Sequence, residues 1–86
     1  MNADEVLEEM KRVAEKLGVK LRLELMPALG GLCAIKGQKV LFLNTALEAW
    51  DQVDVMARAL AQLPIDDIFM PPQVRQIIER CKQGGR

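Results

Sequence analysis

The sequence predicts an α+β fold: a two-layer sandwich with helices on one face of a three-stranded antiparallel sheet. Three observations carry the prediction. Apolar residues recur at helical spacing over residues 3–17, 45–63 and 72–82. They alternate with charged residues over 19–26, the period of a strand with one wet face. Between these segments, Gly30-Gly31-Leu32-Cys33-Ala34-Ile35-Lys36-Gly37-Gln38-Lys39-Val40-Leu41-Phe42-Leu43-Asn44 reads as two strands joined by a glycine turn. The predicted order is α-β-β-β-α-(β)-α, with a single domain over 1–83 and a flexible tail at 84–86.

In the first helix, 3–17, Val6, Met10, Val13 and Leu17 fall on one stripe. Asn2 is placed to cap it, Glu5 completes a capping box, and Gly18 suits the residue just past its end. The strand 19–26 puts Leu21, Leu23 and Leu25 on one face and Lys20, Arg22 and Glu24 on the other; Pro27 ends it. The connection through Ala28, Leu29, Gly30 and Gly31 is short, which points to an antiparallel neighbour, with the glycine pair supplying a positive-φ turn. The hairpin 32–36 and 39–44 turns at Gly37-Gln38, where glycine at the first central position suits a type II′ turn. Val40 to Leu43 is apolar on both faces, the mark of a central or covered strand.

The helix 45–63 opens on the capping-box pair Thr45 and Glu48 and stops before Pro64. Its buried stripe is Leu47, Trp50, Val53, Met56 or Ala57, Leu60 and Leu63, with Trp50 anchoring the core. Residues 65–70 read as a short extended segment or turn, the bracketed strand of the order above. Pro71-Pro72 opens the last helix, whose stripe is Val74, Ile77, Ile78 and Cys81.

Half of the 86 residues are hydrophobic, and a small domain buries a smaller fraction of its surface than a large one. Part of the apolar area is therefore expected to meet a second copy or another protein. Formal charge is zero, so the chain lacks the uniform positive field that draws nucleic acid or membrane. The charges are nevertheless segregated. Lys16, Lys20, Arg22, Lys36 and Lys39 stand in 16–43 against Glu24 alone, while Glu48, Asp51, Asp54, Asp66 and Asp67 stand in 44–67 against Arg58 alone. Lys20, Arg22, Lys36 and Lys39 are the candidate contacts for nucleic acid or another anion, without the aromatic partners of a single-strand platform.

Histidine is absent, which removes Ser-His-Asp and Cys-His catalysis and zinc sites built on H-E-x-x-H or Cys₂His₂. Two cysteines cannot complete a Cys₄ site. Neither G-x-x-x-x-G-K-[ST] nor G-x-G-x-x-G occurs, so the expected cofactor and metal complement is none. The acidic start lacks the blocks of a signal peptide, and no apolar run is long enough to span a bilayer. A soluble, cytoplasmic protein with reduced thiols and no membrane partner is expected.

Cys33 follows Gly30-Gly31, whose backbone could form an anion nest, and is the candidate reactive thiol. Its leading reading, and that of Cys81, is a small buried hydrophobe. Asp66-Asp67 read as a solvated turn, because adjacent carboxylates in an extended segment point opposite ways.

The hairpin motif G-G-L-C through Lys36-Gly37 and Val40-Leu41-Phe42-Leu43-Asn44, with Phe69-Met70-Pro71-Pro72-Gln73-Val74-Arg75, resembles a family of short uncharacterised bacterial proteins over most of the chain. That resemblance implies a family and no activity. The order of helix, strand, hairpin and an Asn-ended strand feeding a long helix also resembles the start of small zinc metallopeptidase domains associated with phage-repressor cleavage. Their H-E-x-x-H would fall near Arg58-Ala59-Leu60-Ala61-Gln62, where ligands and general base are all missing. This second resemblance implies a scaffold without its active site.

The function expected from these readings is a small non-enzymatic protein-interaction module, homodimeric. The alternatives are a nucleic-acid or anion-binding domain using Lys20, Arg22, Lys36 and Lys39, and a thiol-based redox or sensor protein using Cys33.

Overall fold

The computed structural model describes residues 1–26 and 30–84. Helix α1, Ala3–Lys16, is fixed chemically at both ends. Asn2 Oδ1 accepts from the Glu5 N–H at 2.8 Å, and the Glu5 carboxylate accepts from the Asn2 N–H at 2.9 Å, which forms the expected capping box. At the other end Gly18 has φ 75°. That turn lets the Val19 N–H reach the Ala14 carbonyl at 2.9 Å and the Gly18 N–H reach that of Glu15 at 3.0 Å, a Schellman closure.

Three strands follow: β1 (Lys20–Glu24), β2 (Gly30–Ile35) and β3 (Gln38–Asn44), ordered β1-β3-β2. The central place of β3 agrees with its two-faced apolar run. The fully antiparallel sheet is corrected. β1 pairs parallel with β3, from Lys20 opposite Val40 to Glu24 opposite Asn44, and only β2 and β3 are antiparallel. The expectation assumed that neighbours in sequence pair. The strand that is apolar on both faces gains most from the middle, and β1, charged on one face, takes an edge. β1 and β2 then lie two strand spacings apart, about 10 Å, which residues 25–29 span easily. The expected turn through Ala28 and Leu29 falls outside the described residues.

Gly30 and Gly31 do not form a turn between strands. They open β2 itself, opposite Leu43 and Phe42, with φ of 112° and 145°. The hairpin turn is Lys36-Gly37, one residue earlier than expected, because Ile35 and Gln38 are already paired. Both turn residues have positive φ, 53° and 81°, the signature of a type I′ turn and not of type II′.

Helix α2 spans Ala49–Leu60, and its N-cap, Glu48, makes no side-chain capping bond. The Thr45–Glu48 capping box therefore does not form. Asn44, the buried polar side chain among the described residues, turns the chain instead: its Oδ1 accepts from the Ala46 N–H at 2.9 Å. Helix α3, Pro72–Gly84, opens on proline as expected and takes in Gly84, which the sequence reading places in the tail. No strand forms over 65–70. Arg75 donates to the Ile65 and Ile68 carbonyls at 3.2 and 2.5 Å, and Lys16 Nζ to that of Phe69 at 3.3 Å, in place of ladder partners.

The core lies between the helices and one face of the sheet. Val6, Met10 and Val13 of α1 meet Leu41 and Leu43 of β3, Val53, Met56 and Leu60 of α2, and Val74 and Ile78 of α3. Trp50 is not part of it and is 54% exposed. It shares the direction of the buried Ala57 seven residues on, but stands in the first turn of α2. Among the described residues no helix is long and apolar enough to cross a membrane.

Candidate functional site

Pairing register sorts the sheet residues by face. Lys20, Arg22 and Glu24 of β1, Val40 and Phe42 of β3, and Gly31, Cys33 and Ile35 of β2 share the face away from the helices. Leu21, Leu23, Leu32, Leu41 and Leu43 share the other, with Ala34 and Lys39 at its hairpin end.

This division separates the four candidate anion contacts. Lys20 and Arg22 lie on the outer face, Lys39 on the helix face, and Lys36 in the turn. Arg22 is also engaged twice. Its guanidinium lies 5.8 Å from the Phe42 ring centroid and pairs with Glu24 at 2.5 Å. The structure therefore assembles no single basic surface from Lys20, Arg22, Lys36 and Lys39.

Cys33 is exposed, which corrects its reading as a buried hydrophobe. It lies opposite Val40, and it is Val40 that is buried there. Cys81 is half-buried and packs against the core, as its place on the α3 stripe implies. Burial, followed by the Asp54 charge, pushes the Cys81 thiol above its ordinary value, while Arg58 and Arg80 pull the other way. Both cysteines are free.

A shallow groove of about 130 Å³ runs between β2 and α2, lined by Gly30, Gly31 and Leu32 on one side and Val55, Arg58 and Gln62 on the other. The glycine pair forms its part of the β2 wall with backbone alone. A Cβ on Gly30 would overlap the Phe42 carbonyl oxygen and lie 3.0 Å from its carbon, whereas one on Gly31 would meet nothing within 4 Å. Glycine inside a strand is itself a sign of close backbone approach, and Gly30 is such a position.

Several large apolar side chains are left in solvent. Leu25 is 80% exposed, Phe69 83%, Leu23 50% and Ile35 45%. Leu23 faces the helix side of the sheet, yet the helices do not cover it. Sequence periodicity places it on the buried face, but does not show that the helices stop short of it at this edge of the sheet. Asp66 and Asp67 are exposed, as a solvated turn implies, and Asp66 stands 4.0 Å from Lys82 Nζ. Among the described residues no three cysteine, aspartate or glutamate side chains are grouped so that they could hold a metal ion. No protein-family model, curated protein or solved structure matches the chain, so the two resemblances rest on the sequence motifs alone.

Proposed function

We propose that this chain is a small non-enzymatic protein-interaction module and that it works as a homodimer. The observation that carries the reading is the uneven cover of the sheet. The helices pack on one face, and apolar side chains as large as Leu23 and Leu25 remain in solvent along one edge. Exposed apolar area of this kind marks a surface that another protein covers. The chemistry of the β2–α2 groove favours binding over catalysis. Arg58 and Gln62 stand where the metallopeptidase resemblance would put its ligands, and a guanidinium and a carboxamide do not replace two imidazoles. Light scattering at micromolar concentration tests the proposal: a mass of two chains supports it, and a strict monomer overturns it.

The exposure of Cys33 favours a second reading, a thiol sensor. Alkylation by iodoacetamide near neutral pH decides it. Reaction faster than that of an unstructured cysteine peptide supports the sensor, and an equal or slower rate ends it. The division of Lys20, Arg22, Lys36 and Lys39 over two faces and a turn counts against nucleic acid as the partner.

A further inference from the structure

We propose that two copies of this chain join along β1, antiparallel about a two-fold axis at Leu23, to make one continuous six-stranded sheet. The inference rests on the homodimer reading above and names its interface.

The free hydrogen-bonding groups come first. The Thr45 N–H donates to the Glu24 carbonyl at 3.0 Å. In a parallel pair this means that Glu24, and by alternation Arg22 and Lys20, direct their backbone groups toward β3. The N–H and C=O groups of Leu21 and Leu23 therefore point to the open edge, and those of Leu25 join them when the strand is extended by one residue in the dimer. A two-fold axis at Leu23 sets Leu23 opposite the partner's Leu23 and Leu21 opposite the partner's Leu25. Every residue in these pairs has its backbone groups directed outward, so the ladder closes without a mismatch.

The side chains follow the same symmetry. Leu21, Leu23 and Leu25 are spaced evenly about the axis and share the helix side. Leu23 and Leu25 are the large apolar residues of β1 and its extension that the fold leaves exposed. Pairing brings each exposed leucine against a leucine of the partner.

Charge fixes the register. On the outer face Arg22 and Glu24 flank Leu23, so the axis sets Arg22 opposite the partner's Glu24 and Glu24 opposite the partner's Arg22. An axis at Arg22 would set Lys20 opposite the partner's Glu24 but also Arg22 opposite the partner's Arg22, whereas the axis at Leu23 opposes no like charges. Charged side chains normally guard a sheet edge, but a cation and an anion placed symmetrically about one residue do not guard against antiparallel self-pairing. The other edge, β2, has the sequence Gly-Gly-Leu-Cys-Ala-Ile and offers no charge to set a register.

The test uses charge reversal in the full chain, with mass read by sedimentation equilibrium. Arg22→Glu and Glu24→Arg each oppose like charges twice per dimer, and each is expected to weaken dimerisation on the order of tenfold or more. Mixed in equal amounts, the two variants are expected to form a heterodimer in which every cross-strand pair is again opposite in charge. Loss of the ion pair inside one chain cannot produce that rescue. Ile35→Lys on the β2 edge is expected to leave the dimer intact. If both β1 variants dimerise like the parent, or their mixture stays monomeric, the β1 interface is wrong. If Ile35→Lys alone dissociates the dimer, the homodimer stands and the interface moves to β2. A monomeric parent chain overturns both proposals.

Discussion

Adjacent glycines at the start of β2 should respond very differently to the same substitution. Gly30 and Gly31 both have positive φ, 112° and 145°, so alanine at either site carries backbone strain of about 1–3 kcal/mol. At Gly31 that is the whole effect, because the new Cβ meets nothing within 4 Å. At Gly30 the Cβ would also overlap the Phe42 carbonyl oxygen, a backbone atom that cannot rotate away. Relief requires β2 to lift from β3, where Gly31 and Phe42 are opposed. Losing the two backbone bonds of that pair costs about 2 kcal/mol more, at about 1 kcal/mol per bond. Against a total of about 5–15 kcal/mol for a folded domain, Gly30→Ala removes a large share of the stability. Urea unfolding followed by far-ultraviolet circular dichroism, at one fixed protein concentration, measures the difference. The expected midpoints fall in the order parent, Gly31→Ala, Gly30→Ala, with about 1–2 M between the two variants. Equal midpoints for Gly30→Ala and Gly31→Ala would refute the close approach of Gly30 to Phe42.

Three further outcomes follow from the same physics. Asn2→Ala removes the side-chain acceptor of the Glu5 N–H, one half of the α1 capping box, and is expected to lower stability by about 1 kcal/mol in urea unfolding. Arg75→Met removes the side-chain donor of the Ile68 carbonyl and one of the two donors of the Ile65 carbonyl, which keeps the Ile68 N–H at 3.0 Å; about 1–2 kcal/mol is lost, and faster amide exchange confined to residues 65–70 would show where. Because the folded state holds the Cys81 thiol above its ordinary value of 9.0, the neutral thiol favours folding. Its contribution is complete below pH 9 and is lost as pH rises through the raised value. The parent should therefore lose stability relative to Cys81→Ala in alkaline titration, and parallel curves would contradict the shift.

The parts of the fold legible in the sequence are those set by local chemistry. Asn2 with Glu5, Gly18 after α1, and Pro72 at the start of α3 each satisfy backbone groups within a few residues, and each forms as read. The central position of β3 was legible too, because Val40 to Leu43 needs cover on both faces. What was not legible depends on distant partners or on a choice between adjacent turns. The parallel pairing of β1 with β3 is decided by which strand benefits most from the middle, and a short connection hides it. Lys36 accepts a positive φ that glycine would take more easily, so the turn falls one residue before the expected place. Asn44 displaces Thr45 as the residue that sets up α2, and the late start leaves Trp50 in the first turn, in solvent. The candidate site divides the same way. Residue types pointed to Cys33, Gly30 and Gly31. The face on which Lys20, Arg22, Lys36 and Lys39 would fall, and the exposure of Leu23, needed the sheet order.

The most direct test of a dimer built along β1 is amide hydrogen exchange of five consecutive residues, read by nuclear magnetic resonance. The Arg22 and Glu24 N–H groups face β3 and should be protected at every protein concentration. The Leu21, Leu23 and Leu25 N–H groups face the open edge. They should be protected in the concentrated parent and lose that protection on dilution and in Glu24→Arg. Rapid exchange at Leu21, Leu23 and Leu25 in a concentrated, dimeric parent would contradict the account.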